Sequence, residues 1–420
     1  MKLPAMFSDR NALRVALARF VSRTGAEAAF FVGIWGKAAY EFGGSAGEIA
    51  LVIAALGISG LIGAALAGTL IDRFDPRKVL IASEVVFVPT AVSLVWADSL
   101  TTLIVLSALL GLVTAPTNTA IASFPPFLTE DPDRLAKMNS LVETSGMAAL
   151  ITGTAMGGVL AKWVSIDAIF IFDAVTSIVA MAIIFGVRLV GAKPDEVPIE
   201  RDSWKELREG IRFSFAHHRL RFYLLAGASV WTMFGLFSAL EPLFFRDILD
   251  EPPETIGFVN TIFGVGLVAG TYLVARLPRA ARSARAVLVL VALNGLGAIL
   301  YVSTDRLAVV VAGGFVWAVM IGLFVPIVRT MLHVNSPRAM VGRVMGVSLM
   351  LGEAGKLTPL IAAPLLAALF GVQQTLAGGG VVLAIAALAF WRVGRHLDDT
   401  RTVPVETLEA PVIAPHVSEL

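Results

Sequence analysis

Among the charged residues within runs of otherwise apolar sequence, the informative ones are Arg23, Glu27, Asp173, Glu353 and Lys356. If those runs are helices in a bilayer, a charge near the centre of one costs about 2.5–3.5 kcal/mol, so it is kept only where it faces a partner or a cavity. Arg23 and Glu27 are four residues apart and Glu353 and Lys356 three apart, which puts each pair on one helix face. Each pair can therefore neutralise itself or open onto a cavity. Asp173 has no basic residue within two helical turns. A buried carboxylic acid can hold a proton away from water and release it on contact with water, so Glu27, Asp173 and Glu353 are the candidates for proton carriage. The five histidines, His217, His218, His333, His396 and His416, fall outside the apolar runs and leave that task to the acids. Glu84 and Glu143 sit a turn or two inside their runs and Glu241 near the outer end of its own, positions that suit a gate or a rim.

Two groups of rings accompany these charges: Phe30, Phe31 and Trp35 in one run, and Trp231, Phe234 and Phe237 in another. With Arg23 and Lys356 as polar points, they would line an apolar cavity for a bulky organic ligand. Rings at such spacing equally serve packing or lipid contact.

The elements that hold these residues follow from composition. The 420-residue chain has a mean hydropathy of +0.80, is 57% hydrophobic and only 15% charged, against roughly 25% charged in a soluble domain. Runs long enough to cross a hydrocarbon core of about 30 Å as helices recur along nearly all of it. Twelve are expected, at 16–38, 47–71, 79–97, 100–124, 139–163, 166–189, 221–245, 255–276, 285–303, 306–330, 343–369 and 373–393. This is an all-α membrane protein. The first run is too long, and followed by too many others, for a cleaved leader.

Positive charge near span ends is retained in the cytoplasm. With the N-terminus inside, 27 of the 33 Lys and Arg fall on inside segments, and only Lys37, Lys162, Arg246 and Arg306 on outside loops. Both termini are therefore expected in the cytoplasm. A net charge of +1 with basic residues spread over many loops gives no nucleic-acid surface. The absence of cysteine removes disulfides and thiolate chemistry. Arg in excess of Lys, with abundant Ala and Val, points to a GC-rich bacterium.

The polar stretch 191–221 divides the spans six and six. The expected organisation is a six-helix lobe over 1–190, a linker over 191–220, a second six-helix lobe over 221–393 and a cytoplasmic tail over 394–420. In the linker, Ser203 and Glu206 fit a capping box, and Trp204, Leu207, Ile211 and Phe215 follow at helical spacing. That pattern suits an amphipathic helix on the cytoplasmic membrane surface or a solvated connector. Across the linker, LLGLVTAP (109–116) is echoed by VMIGLFVP (319–326), the prolines being Pro116 and Pro326. Such duplication is how transporters place a site between two lobes.

GTLIDRFDPRK (68–78) resembles the loop between helices two and three of the major facilitator superfamily, with Gly68, Asp72, Arg73, Arg77 and Lys78 matching and Asp75-Pro76 departing from the pattern. FPPFLTEDPDRLAKMNSL (124–141) and ELREGIRFSFAHHRLRFYLL (206–225) are similar to bacterial exporters of the enterobactin-exporter and macrolide-efflux type. The resemblance implies the major facilitator fold, a cytoplasmic gate in which the 68–78 loop meets Arg343, and a proton-carrying acid in the first span, which maps onto Glu27. GTAMGGVL (153–160) partly resembles the superfamily's antiporter signature, with Thr154 in place of its proline; small-residue helix packing accounts for Gly153, Gly157 and Gly158 equally well.

No phosphate-binding loop accompanies Gly36-Lys37 or Gly355-Lys356, and no metal constellation or cofactor motif lies in the spans. The expectation is a non-enzymatic, monomeric secondary exporter of amphipathic organic compounds, driven by proton antiport in a bacterial cytoplasmic membrane. A specific siderophore or metabolite as cargo, and a non-transporting receptor or assembly partner, are the alternatives.

Overall fold

The computed structural model describes residues 10–399 apart from 75, 126–127, 130, 188–202, 279–280, 282 and 338–339; the side chains of 68, 69, 71–73, 76, 122, 123, 132, 133, 136 and 203–206 also lie outside the described residues. In hydrocarbon each backbone N–H and C=O has to be bonded within its own segment, so long apolar runs become helices. The chain folds as α1 (Arg10–Ala28), α2 (Ala46–Arg73), α3 (Pro76–Ser93), α4 (Leu100–Ser123), α5 (Pro132–Trp163), α6 (Ile166–Phe185), α7 (Ser203–Ala216), α8 (His218–Leu243), α9 (Pro253–Val274), α10 (Ala284–Tyr301), α11 (Leu307–Val334), α12 (Val341–Phe370), α13 (Val372–Ala389) and α14 (Trp391–Asp399). Among the described residues there is no strand.

Eleven of these helices, α2–α6 and α8–α13, are long and apolar enough to cross a membrane. The expected first span is the exception. Its helix α1 carries Arg10, Arg14, Arg19, Arg23 and Glu27, and it continues through π-helical turns at Ala29–Ile34 and Lys37–Glu41. The outer faces are strongly apolar: Ile361 is 75% exposed and Leu349 71% exposed. Exposed apolar side chains at that density suit an apolar surrounding better than water. Serine side chains that accept a backbone N–H start α2, α4, α6 and α10, at Ser45, Ser99, Ser165 and Ser283. Pro116 and Pro326 lie inside α4 and α11 without breaking them. The helices α8 and α11 run far enough to include His218 and His333 at their ends, so two histidines read as outside the spans belong to membrane-length helices.

In the packing, α1 lies on α5 and α6, α2 on α4, and α3 on α4 and α6; α8 lies on α12 and α13, α9 on α11, and α10 on α11 and α13. The first set meets the second where α5 packs on α9 and α2 packs on α8 and α12. Hydrogen bonds between the sets cluster at one end of the bundle. There the Tyr40 hydroxyl donates to the Glu251 carbonyl at 2.9 Å, and Arg246 Nη1 donates to the carbonyls of Ala39 at 2.6 Å and Gly44 at 3.2 Å. The Thr154 and Thr261 hydroxyls share a hydrogen bond of 3.0 Å between α5 and α9.

The amphipathic segment forms α7, which docks against α12 and α8 rather than resting as a free connector. Gly210 lies against the Arg343 side chain and Glu209 pairs with Arg343 at 2.9 Å. Ser203, Trp204 and Glu206 have side chains outside the described residues.

Candidate functional site

The two expected ring groups converge on a single cavity of about 380 Å³ between the two helix sets. The π-helical turn after α1 contributes Phe30 and Phe31, followed by Trp35, with ring centroids 4.9–5.6 Å apart. A π turn widens the helix by one residue, and such turns occur often at functional sites. Opposite, α8 contributes Trp231, Phe234 and Phe237. Phe237 packs on Trp317 of α11 at 4.6 Å and stacks on Tyr301 of α10 at 5.7 Å, and Phe263 of α9 meets Trp317 edge-on at 5.5 Å.

Charge enters the cavity at two places. Glu353 and Lys356 of α12 both line it and pair with each other at 2.7 Å, while the Lys356 ammonium lies 4.8 Å from the centre of the Trp231 ring. The second place is Glu241, whose Oε1 accepts from the Tyr301 hydroxyl at 2.7 Å and from Asn260 Nδ2 at 3.3 Å. Glu241 was expected at a rim. Because α8 continues through a further π-helical turn, Phe244–Ile248, that carboxylate is buried deeper and belongs to the cavity wall.

Arg23 and Glu27 are not in this lining. They pair with each other at 2.8 Å, and Glu27 is buried against α5 near Gly153. Asp173 is buried between α6 and α1, close to Gly25, and its Oδ1 has no hydrogen-bond partner among the described residues. The acid that acts on it electrostatically is Glu84 of α3, itself buried, with its Oε2 also lacking a hydrogen-bond partner among the described residues. Glu84 was read as a gate residue; it sits in the core of the first helix set with Asp173.

Of the expected cytoplasmic gate, Gly68, Asp72 and Arg73 have side chains outside the described residues. Arg77 donates to the Phe185 carbonyl at 2.5 Å and lies over the Phe185 ring, and Lys78 is exposed. The glycines of 153–160 serve close packing: Gly153 and Gly157 face α1, and Gly158 faces Glu254 and Phe258 of α9.

A bundle of membrane-length helices around a ring-lined cavity, with charged groups held at its wall, defines a membrane transporter rather than an enzyme. The Major Facilitator Superfamily model matches residues 15–358, with a second match over 223–418. The chain belongs to that family. It is 27% identical over 339 residues to the multidrug efflux pump Tap of Mycobacterium tuberculosis, covering 77% of this chain and 79% of that protein. It is 27% identical over 276 residues to the lysophospholipid transporter LplT of Citrobacter koseri, covering 62% and 66%. The crystal structure of the nucleoside transporter NupG has the same fold, with a TM-score of 0.73 and 13% identity over 91% of this chain and 99% of NupG.

Proposed function

We propose that this protein is a secondary exporter of amphipathic organic compounds that exchanges cargo for protons by alternating access. The observation that carries this reading is the cavity: about 380 Å³, walled by aromatic rings, and reached by few charged groups. That volume falls within the range of sites for drug-sized ligands. The likeness to a multidrug efflux pump supports the outward direction and a broad cargo range.

In this reading α1 is the twelfth span, the two helix sets are six-helix lobes, and α7 belongs to the linker between them. The second family match, beginning at residue 223, supports such a duplication. The excess of Lys and Arg on alternate segments supports both termini on the cytoplasmic side of a bacterial cytoplasmic membrane, and a cavity lined within one chain is consistent with a monomer as the working unit. The hydrogen bonds at Tyr40, Arg246 and Thr154 then close the external side, leaving the cavity to face the cytoplasm.

Among the three candidate proton carriers, Glu27 and Glu353 each have a cation beside them, Arg23 and Lys356. Asp173 has only Glu84. Without a fixed counter-charge, Asp173 is the acid whose charge a proton has to balance, so we assign it the coupling step. The test is dye uptake into everted vesicles under an imposed proton gradient, with fluorescent amphipathic dyes and a labelled lysophospholipid. Gradient-driven uptake that falls at least tenfold in Asp173→Asn supports the reading. Uptake of none of these compounds, or equal uptake without the gradient, overturns it.

A further inference from the structure

We propose that α14 and the end of α13 form a docking surface for an anionic phospholipid of the inner leaflet, with its phosphate on Arg392 and Arg395 and its acyl chains along Phe390, Trp391 and Val393. The inference rests on the reading that this end of the bundle faces the cytoplasm and makes no use of the cargo.

The first support is that α14 is held in place. A single residue, Phe390, separates it from α13, and the Phe390 carbonyl accepts the Gly394 N–H at 3.0 Å. Gly394, Leu397 and Asp398 share one helix face, which is turned to α10: an added Cβ on Gly394 would strike Leu288, and Leu397 is buried. The Asp398 carboxylate accepts the Ala284 and Arg285 backbone N–H groups at 2.7 and 3.1 Å and pairs with the Arg285 guanidinium at 2.9 Å. It thus places an anion at the N-terminus of α10, where the helix dipole favours one. Arg219 of α8 donates to the Leu397 carbonyl at 2.7 Å. The helix is part of the folded body and presents its remaining residues in a fixed arrangement.

The second support is what those residues are. Arg392, Arg395, His396 and Asp399 lie along the opposite arc and are all exposed. Arg395 is 3.7 Å from Asp399, while no acid pairs with Arg392 among the described residues. On α14 and the side chains bonded to it, Arg219, Arg285, Arg392 and Arg395 stand against Asp398 and Asp399, so positive charge is in excess. Beside the arginines the surface is apolar: Phe390 is 54% exposed, Val393 45% and Trp391 40%. These three continue the exposed strip of Val382, Ile385 and Leu388 on α13, a helix of membrane-crossing length.

Guanidinium groups bind phosphate through paired N–H donors. A free phosphate ion would use the arginines and leave the rings in water. A zwitterionic headgroup would bring its own cation to the arginines. An anionic phospholipid satisfies both parts, and amphipathic helices that carry basic and aromatic residues bind such lipids through both.

The experiment uses the purified full-length protein in mixed micelles that contain phosphatidylglycerol or phosphatidylcholine with brominated acyl chains. Bromine quenches nearby indole fluorescence, and the Trp391 share is the difference between wild type and Trp391→Phe. That share is expected to be half quenched at a mole fraction lower by about fivefold or more for phosphatidylglycerol. Arg392→Gln combined with Arg395→Gln is expected to remove the difference and to keep the thermal unfolding midpoint, since both side chains are exposed. Inorganic phosphate, matched in ionic strength by chloride, is expected to leave the preference in place. Equal quenching by the two lipids in the wild type, a preference kept in the double variant, or a preference removed by phosphate overturns the proposal. If the double variant does not fold, the wild-type comparison decides.

The topology is read separately. The chain has no cysteine, so His396→Cys supplies a single thiol, which a membrane-impermeant maleimide is expected to reach in everted vesicles. A preference for phosphatidylglycerol without labelling there overturns the inner-leaflet assignment and the topology beneath it; labelling without a preference removes the lipid surface and keeps the topology.

Discussion

Lys37 is 2% exposed, and its ammonium donates to the Leu94 carbonyl at 2.8 Å, the Val95 carbonyl at 3.0 Å and Asp167 at 2.7 Å. The Leu94 carbonyl, in the last turn after α3, also accepts the Ala97 N–H at 3.2 Å, so the ammonium is its second donor. Lys37→Met would remove the ammonium from both carbonyls and leave that of Val95 without this donor in a part-buried place, for an expected loss of about 1–3 kcal/mol. Asp167 is partly exposed and adds little, since water can solvate it once the ammonium is gone. The measurement is the thermal unfolding midpoint of the purified protein, expected to fall; an unchanged midpoint would show that the three bonds contribute nothing net. Lys37 was read as an outside-loop charge, and Glu241 as a rim acid. Both are misplaced for the same reason: their partners lie 57, 130 and 60 residues away in sequence. The Arg23–Glu27 and Glu353–Lys356 pairs were legible because an i,i+4 or i,i+3 contact is written in the local spacing.

At the scale of elements, the apolar runs located the helices to within a few residues, since hydrocarbon leaves a long apolar segment no other way to bond its backbone. The π-helical turns of the first helix were not legible, because they depend on how Phe30, Phe31 and Trp35 pack rather than on any residue type. The crossing of α8 with α12 was equally hidden. It requires Gly235, where an added Cβ would overlap the backbone carbonyl of Lys356. Gly346, on the same α12, has open space around the corresponding position. Gly235→Ala is therefore expected to destabilise by about 1–3 kcal/mol as the two helices are forced apart, and to weaken dye transport by displacing Trp231 and Lys356. Gly346→Ala should gain up to about 1 kcal/mol of helix propensity instead. Unfolding midpoints of the two variants, which differ only in where one methyl group is added, read this directly. Equal midpoints would mean that α8 and α12 can separate freely.

Over the whole molecule, the proposed cycle requires the seam between α5 and α9 to part whenever the cavity turns to the other side. At that seam Gly158 and Gly257 bring the two backbones into contact, and Thr154, standing where the antiporter signature has proline, bonds Thr261 at 3.0 Å. A hydroxyl pair so close is weak enough to break in each cycle, at roughly 0.5–1.5 kcal/mol. A covalent bond of about 2 Å between the same positions is not. The chain contains no cysteine, so Thr154→Cys combined with Thr261→Cys introduces the only two thiols. Oxidised in everted vesicles, the double variant is expected to retain less than about a tenth of its dye transport, while reductant restores it and each single variant transports throughout. The crosslink itself is verified by mass after proteolysis. Full transport with the crosslink in place would mean that cargo leaves without the seam opening, and alternating access about this cavity would then have to be abandoned, whatever the cavity binds.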